Sequence, residues 1–208
     1  MELQYFGANC VRLVYKQANI IIDDNLEELG LKSQAKNGDI VVYTGAHGDP
    51  NIDAKIIIDQ PGEYEVSGVS IVGLPARSHL DDESSETATI YKFTADDIKV
   101  LVTGHIYPKL TEQQLEEIGL VDALVVPVGG NGYTLDSEGA LVLIKQIEPK
   151  IVIPVHYLDK AINYPVPQQD LKTALDTLGI EAKQPQAKLK IKNTDISEKL
   201  ELEVLTRQ

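Results

Sequence analysis

Pro149-Lys150-Ile151-Val152-Ile153-Pro154-Val155-His156-Tyr157 is the stretch whose reading decides the fold. Ile151 to Val155 is a short, wholly apolar run. It has no helical periodicity and no polar face, the pattern of a strand buried on both sides. His156 follows the last apolar position, which puts an imidazole at the carboxyl end of the strand. Functional groups gather at such ends in open α/β sheets, although a part-buried histidine bonded to a loop gives the same pattern.

The neighbouring segments complete the picture. Upstream, Ala123–Val128 is a second apolar strand, followed by Gly129-Gly130-Asn131-Gly132. Asp136 or Ser137 can cap a helix running to Ile147, with Pro149 as its stop. Further back, Thr111 and Gln114 have the spacing of a capping box for a helix through Glu117, ended by Gly119. Downstream, Asp170–Leu178 reads as a third helix ended by Gly179, before two alternating segments, Lys188–Lys192 and Leu200–Leu205. Strand–helix–strand alternation implies parallel pairing after residue 110.

The first hundred residues offer strands and turns but hardly any helix. Val11–Lys16 and Ile20–Asp23 flank the polar turn Gln17-Ala18-Asn19, and Thr87–Phe93 and Ile98–Thr103 flank Thr94–Asp97. Such hairpins imply antiparallel pairing. Ile40–Tyr43, Ala54–Asp59 and Val69–Gly73 are further short Val- and Ile-rich runs. A mixed sheet system of α/β class, with helices outside and one domain over 1–208, accommodates all of this.

Composition narrows the function. The chain of 208 residues is 43% hydrophobic and has nine Tyr, two Phe and no Trp, so its core is aliphatic. A net charge of −13 opposes nucleic acid and anionic membrane surfaces, which need a positive face. The expected partner is a small-molecule substrate or ligand. One cysteine, Cys10, rules out an internal disulfide and a cysteine-based zinc cluster, and next to Val11 it reads as a core residue. The amino terminus lacks a basic region and a long apolar run, which implies a cytoplasmic protein.

Only four histidines are present, and each follows an apolar strand. His47 and Asp49 lie two apart in Thr44–Pro50, a spacing that can offer imidazole and carboxylate to one cation, or simply a solvated turn. His79 opens the acidic loop His79-Leu80-Asp81-Asp82-Glu83, whose carboxylates read as a solvated charge run. His105 follows Val100–Thr103 and Gly104, much as His156 follows its own strand. Shared placement points to loops converging on one edge, where nitrogen and oxygen donors suit a metal. The glycine-rich loop Gly129–Gly132 lacks the Lys and Ser or Thr of a phosphate-binding loop.

In the order of its motifs the chain resembles the metallo-β-lactamase superfamily, in its small Zn-dependent hydrolase branch, from Leu3 to about Tyr157. The carrying pieces are Tyr5-Phe6-Gly7-Ala8-Asn9-Cys10, Ile20-Ile21-Ile22-Asp23, Thr44–Pro50, Asp59-Gln60-Pro61-Gly62-Glu63-Tyr64-Glu65-Val66-Ser67-Gly68-Val69, Val126-Pro127-Val128-Gly129-Gly130 and Pro149–Tyr157. The resemblance implies a four-layer αββα sandwich of two mixed sheets. It also implies that His47, Asp49, His79 and His156 are surviving ligands of the signature His-x-His-x-Asp-His and its later partners. Gly45 and Pro50 stand where that signature has histidines, His105 where it has a bridging aspartate, and Ala8 where the opening motif often has a histidine.

An imidazole cannot bridge two cations as a carboxylate does, so the resemblance implies at most one ion, Zn²⁺, drawn from His47, Asp49, His79, His105 and His156. The expected chemistry is hydrolysis by metal-bound water, with Asp49 orienting or deprotonating it. The alternative is a non-catalytic relative that keeps the scaffold for binding.

Overall fold

The computed structural model describes residues 1–208. In chain order the elements are β1 (Glu2–Gly7), β2 (Cys10–Tyr15), β3 (Ala18–Ile22), β4 (Ile40–Val42), β5 (Ile56–Ile58), β6 (Gly62–Val66), β7 (Val69–Ala76), β8 (Ala88–Ala95) and β9 (Ile98–Val102), then α1 (Glu112–Ile118), β10 (Ala123–Pro127), α2 (Ser137–Ile147), β11 (Ile151–Val155), α3 (Leu171–Leu178), β12 (Lys188–Lys190) and β13 (Glu201–Leu202). They form two sheets, ordered β12-β1-β2-β3-β4-β5 and β13-β11-β10-β9-β8-β7-β6.

The hairpins use two-residue turns with left-handed backbone, which match the twist of the flanking strands. Ser67 and Gly68 (φ 56° and 78°) join β6 to β7, and Asp96 and Asp97 (φ 47° and 62°) join β8 to β9. The first hairpin is one residue tighter than its sequence suggests. Ala18 pairs with Tyr15, so the turn is Lys16-Gln17 rather than Gln17-Ala18-Asn19. Pairing in the first half is also not wholly antiparallel: β4 runs parallel to β3, and β5 parallel to β4. Two long connections return the chain to the same end each time, a path that short apolar runs do not reveal. After residue 110 the expected parallel pairing holds, with β10 flanked by β9 and β11.

Alternation along β10 and β11 explains their unbroken apolar runs. Val125 and Ile153 face the core between the sheets with Tyr91, Phe93 and Ile22. Leu124, Val126 and Val152 face outward onto Leu143 and Ile144 of α2 and Leu178 of α3. Fully burying each such side chain contributes about 1.5–3 kcal/mol, which commits this segment to the centre of its sheet.

The helices are capped as their sequences dictate. Thr111 and Gln114 form the reciprocal capping box of α1. Asp136 and Asp170 accept from backbone amides at the starts of α2 and α3. Over the first sheet the outer layer is thin. A single 3₁₀ turn, Glu27–Leu29, and its flanking loop cover Phe6, Cys10, Ile21 and Leu26. Cys10 is buried there, as a core residue should be. No helix is long and apolar enough to cross a membrane.

Candidate functional site

The strands end in backbone that turns side chains into one cleft. Ala8, Asp23 and His156 have φ of 47°, 54° and 54°, and Gly104 has φ 60°. Three non-glycine residues in the left-handed region together are uncommon, and such strain concentrates at functional sites. They follow β1, β3 and β11, and Gly104 follows β9 closely. The His156 amide donates to the Ala8 carbonyl at 2.8 Å, tying two of these ends together.

Asp23 is buried and accepts from both the amide and the hydroxyl of Thr44, each at 2.7 Å. Burial pushes its pKa up to about 6, against the opposing pull of the Thr44 hydrogen bonds. Thr44 in turn lies so close to Gly104 that a Cβ there would sit 2.1 Å from its Oγ1. Only glycine lets β9 end at this depth. Between these groups lies a cavity of about 180 Å³ bordered by Asn9, Asp23, Thr44, Gly45, Ser78 and His105.

His105 is the unusual group. Both of its ring nitrogens are sealed from solvent and bond to nothing. Its ring packs edge-to-face on that of His156, with centroids 4.3 Å apart. Burial, then the proximity of His156 and His79, holds its pKa well below the ordinary histidine range. His79 is bound by its amide to the His105 carbonyl at 2.8 Å, and its Nδ1 is likewise sealed and unbonded. Burial lowers its pKa, with Asp136 opposing. His156 is pushed down to about 4 by burial, with a hydrogen bond to Gln168 opposing.

Asp81 is more than a solvated charge. Its carboxylate accepts from the amides of Ser78 and Thr87 and from the Thr87 hydroxyl, while its carbonyl takes the Arg77 guanidinium. It therefore shapes the loop that presents His79. Sequence reasoning passed over this role because the flanking Asp82 and Glu83 mask it.

His47 and Asp49 have partners of their own. His47 stacks on Tyr43 at 3.8 Å, and its ring nitrogens face the Gly48 carbonyl (2.7 Å) and the Asp59 carboxylate (3.3 Å). Asp49 accepts from the Asn51 amide and borders a different recess, beside Asp24 and Glu28. Asn9, Asp23, Thr44 and Gln168 enter the site without having been singled out as functional. Asp23 carried a signal, a carboxylate ending the apolar strand Ile20–Ile22. Gln168, directly after Pro165-Val166-Pro167 in a loop, carried none.

No three His, Cys, Asp or Glu side chains stand together as a ready-made ligand set. The donor chemistry nonetheless fits one ion. A neutral imidazole has one N–H and one lone pair, and burying either without a partner costs about 1–3 kcal/mol. The orphaned nitrogens of His79 and His105 are therefore groups waiting for a partner, and imidazole nitrogen is a preferred zinc ligand. The set does not fit a bridged pair of ions, because no carboxylate lies between the imidazoles.

The model of the Beta-lactamase superfamily domain matches residues 2–156. A UPF0173 metal-dependent hydrolase of Thermococcus onnurineus is 30% identical over 99 residues, covering 46% of this chain and 44% of that protein. The chain thus spans less than half the length of that relative. A second relative so described, from Bacillus mycoides, is 24% identical over 208 residues, covering 82% of this chain and 89% of its own. Among solved structures, a protein of Thermotoga maritima described as a Zn-dependent hydrolase of the metallo-β-lactamase superfamily superposes with a TM-score of 0.75 at 24% identity, covering 99% and 98% of the two chains. That likeness shows the fold, with its two mixed sheets. With three quarters of its length inside the family match, this chain belongs to the β-lactamase superfamily and has the metallo-β-lactamase fold.

Proposed function

We propose that this protein is a metal-dependent hydrolase of reduced type, holding at most one ion, Zn²⁺, on His79, His105 and His156. The observation that carries the reading is His105, whose two ring nitrogens are sealed and unbonded and whose ring packs on that of His156, with a sealed, unbonded Nδ1 of His79 on the loop bound to it. A core histidine kept for packing alone would have found partners for its nitrogens.

When bound, the ion supplies a Lewis acid and a water of lowered pKa. The protein supplies the rest. Asp23 is the one carboxyl bordering the His105 cavity, and its burial places its proton affinity near neutrality. That suits it to take a proton at its carboxylate, since catalytic efficiency peaks when pKa lies near working pH. Asp49 was the expected carboxylate for this step, but it lies in a different recess. The Thr44 amide and hydroxyl keep Asp23 oriented, and each carboxylate oxygen retains a second acceptor site. Asn9 presents an unbonded Oδ1 beside them, ready to accept from a substrate or water donor.

The test is zinc titration of chelator-treated protein followed by assay of nitrophenyl esters and phosphodiesters. The reading expects hydrolysis that zinc restores and that Asp23→Asn lowers by 10²-fold or more, the usual contribution of a positioned base. Tight zinc binding with no hydrolysis of either class favours the non-catalytic alternative.

A further inference from the structure

We infer that Gln168 is a positioning residue that locks His156 in its Nδ1–H tautomer and so keeps the Nε2 lone pair for a ligand in the cleft. Only its consequence for zinc rests on the function proposed above. Gln168 lies beyond the matched residues 2–156.

The tautomer follows from the direction of two hydrogen bonds. A side-chain amide has one end that donates and one that accepts. The Gln168 Nε2 lies 3.2 Å from the Val166 carbonyl, which can only accept. The Oε1 end must therefore face His156, and it lies 3.0 Å from Nδ1. An amide oxygen accepts, so Nδ1 carries the proton and Nε2 carries the lone pair. Nδ1 is the one nitrogen of this ring that a side chain of the protein engages. Partners of this kind fix the orientation and basicity of ligating imidazoles.

The surroundings are built to hold this contact. Gln168 is buried, at 8% exposure. The next residue, Gln169, donates its amide to the Gly129 carbonyl at 2.7 Å and accepts from the Leu158 amide at 2.9 Å. Its side-chain oxygen accepts from Ser137 at 2.7 Å. These bonds pin the loop to the ends of both β10 and β11. Gly129 completes the arrangement. A Cβ there would meet the His156 carbonyl at 2.1 Å and the Gln168 Oε1 at 2.9 Å, so any side chain would part the pair.

The experiment reads the tautomer directly, by two-bond ¹H–¹⁵N correlation of ¹⁵N-histidine-labelled, metal-free protein, with His156→Asn to assign the signal. The wild type should show His156 with Nδ1 protonated. Gln168→Leu, which keeps volume and loses the acceptor, should release it to a mixture or to the Nε2–H form and weaken zinc binding about 10–100-fold. Gln168→Glu keeps an acceptor and should restore both. The proposal is overturned if wild-type His156 is Nε2-protonated, or if a folded Gln168→Leu protein keeps the Nδ1–H tautomer. Should Gln168→Leu not fold, the wild-type and Gln168→Glu spectra decide. Should the wild type bind no zinc, the hydrolase reading fails, and the tautomer shift on Gln168→Leu still decides the role of Gln168.

Discussion

Asp23 and His156 titrate in the same pH window with opposite effects on stability, and separating them tests the electrostatics of the cleft. The pKa of Asp23 is raised from an ordinary 3.8 to about 6 in the folded protein. Its contribution to stability is therefore full below pH 3.8 and is lost as pH rises through 6. The pKa of His156 is lowered from 6.5 to about 4. Its contribution is full above pH 6.5 and is lost as pH falls through 4. Between pH 7 and 4.5, acidification costs about 2 kcal/mol through His156, allowing for its partial exposure, and returns about 2 kcal/mol through Asp23. The two nearly cancel in the wild type. Asp23→Asn keeps an acceptor for Thr44 and removes only the second titration. Relative to the wild type, this variant should lose about 2 kcal/mol more on acidification. Urea unfolding of chelator-treated protein at the two pH values reads the difference, which is about 1 M in midpoint for a slope near 2 kcal/mol/M. Parallel pH profiles for the two proteins, within about 0.3 kcal/mol of each other by this method, would refute the reasoning.

His105→Leu should make the metal-free protein more stable, by about 1–2 kcal/mol, because two sealed and unbonded nitrogens disappear. The same change should weaken zinc binding by an order of magnitude or more; thermal unfolding and competitive titration check the two halves separately. His47→Ala should leave zinc affinity within about threefold and cost under about 1 kcal/mol, since a part-exposed contact with Asp59 and a stack are lost. A tenfold loss of affinity returns His47 to the ligand set. Gly104→Ala should cost about 2 kcal/mol or more in chemical unfolding, through left-handed backbone and collision with Thr44. A neutral result there means β9 can withdraw from Thr44 without strain.

Much of the fold was legible because local and global signals agree. Ile151–Val155 is a buried strand with the bounds its sequence suggests, Thr111 caps α1 as its spacing predicts, and Asp136, one of two candidates, caps α2, while Asp170, read as the first residue of its helix, is that helix's cap. β1 and β6 were not read as strands from their own residues. Glu63 and Glu65 give β6 a polar outer face, and that edge strand has no apolar run to announce it. The parallel placement of β4 and β5 depends on long connections that composition does not describe.

In the cleft, the placement of histidines after strands was readable: the His105 and His156 rings touch, and the His79 amide bonds to the His105 carbonyl. The partners of His47 are tertiary. Tyr43 and Asp59 hold His47, and Asp59 lies on a later segment whose approach no local pattern encodes. Gln168 was invisible for the same reason, since its meaning rests on a single contact made through folded loops.

Anomalous diffraction from crystals grown with excess Zn²⁺ tests the central claim most directly. The account predicts one ion per chain, bonded at about 2.0–2.1 Å to nitrogens of His79, His105 and His156, with His47 and Asp49 outside its coordination sphere. Two ions, or one ion held by His47 and Asp49, would contradict it.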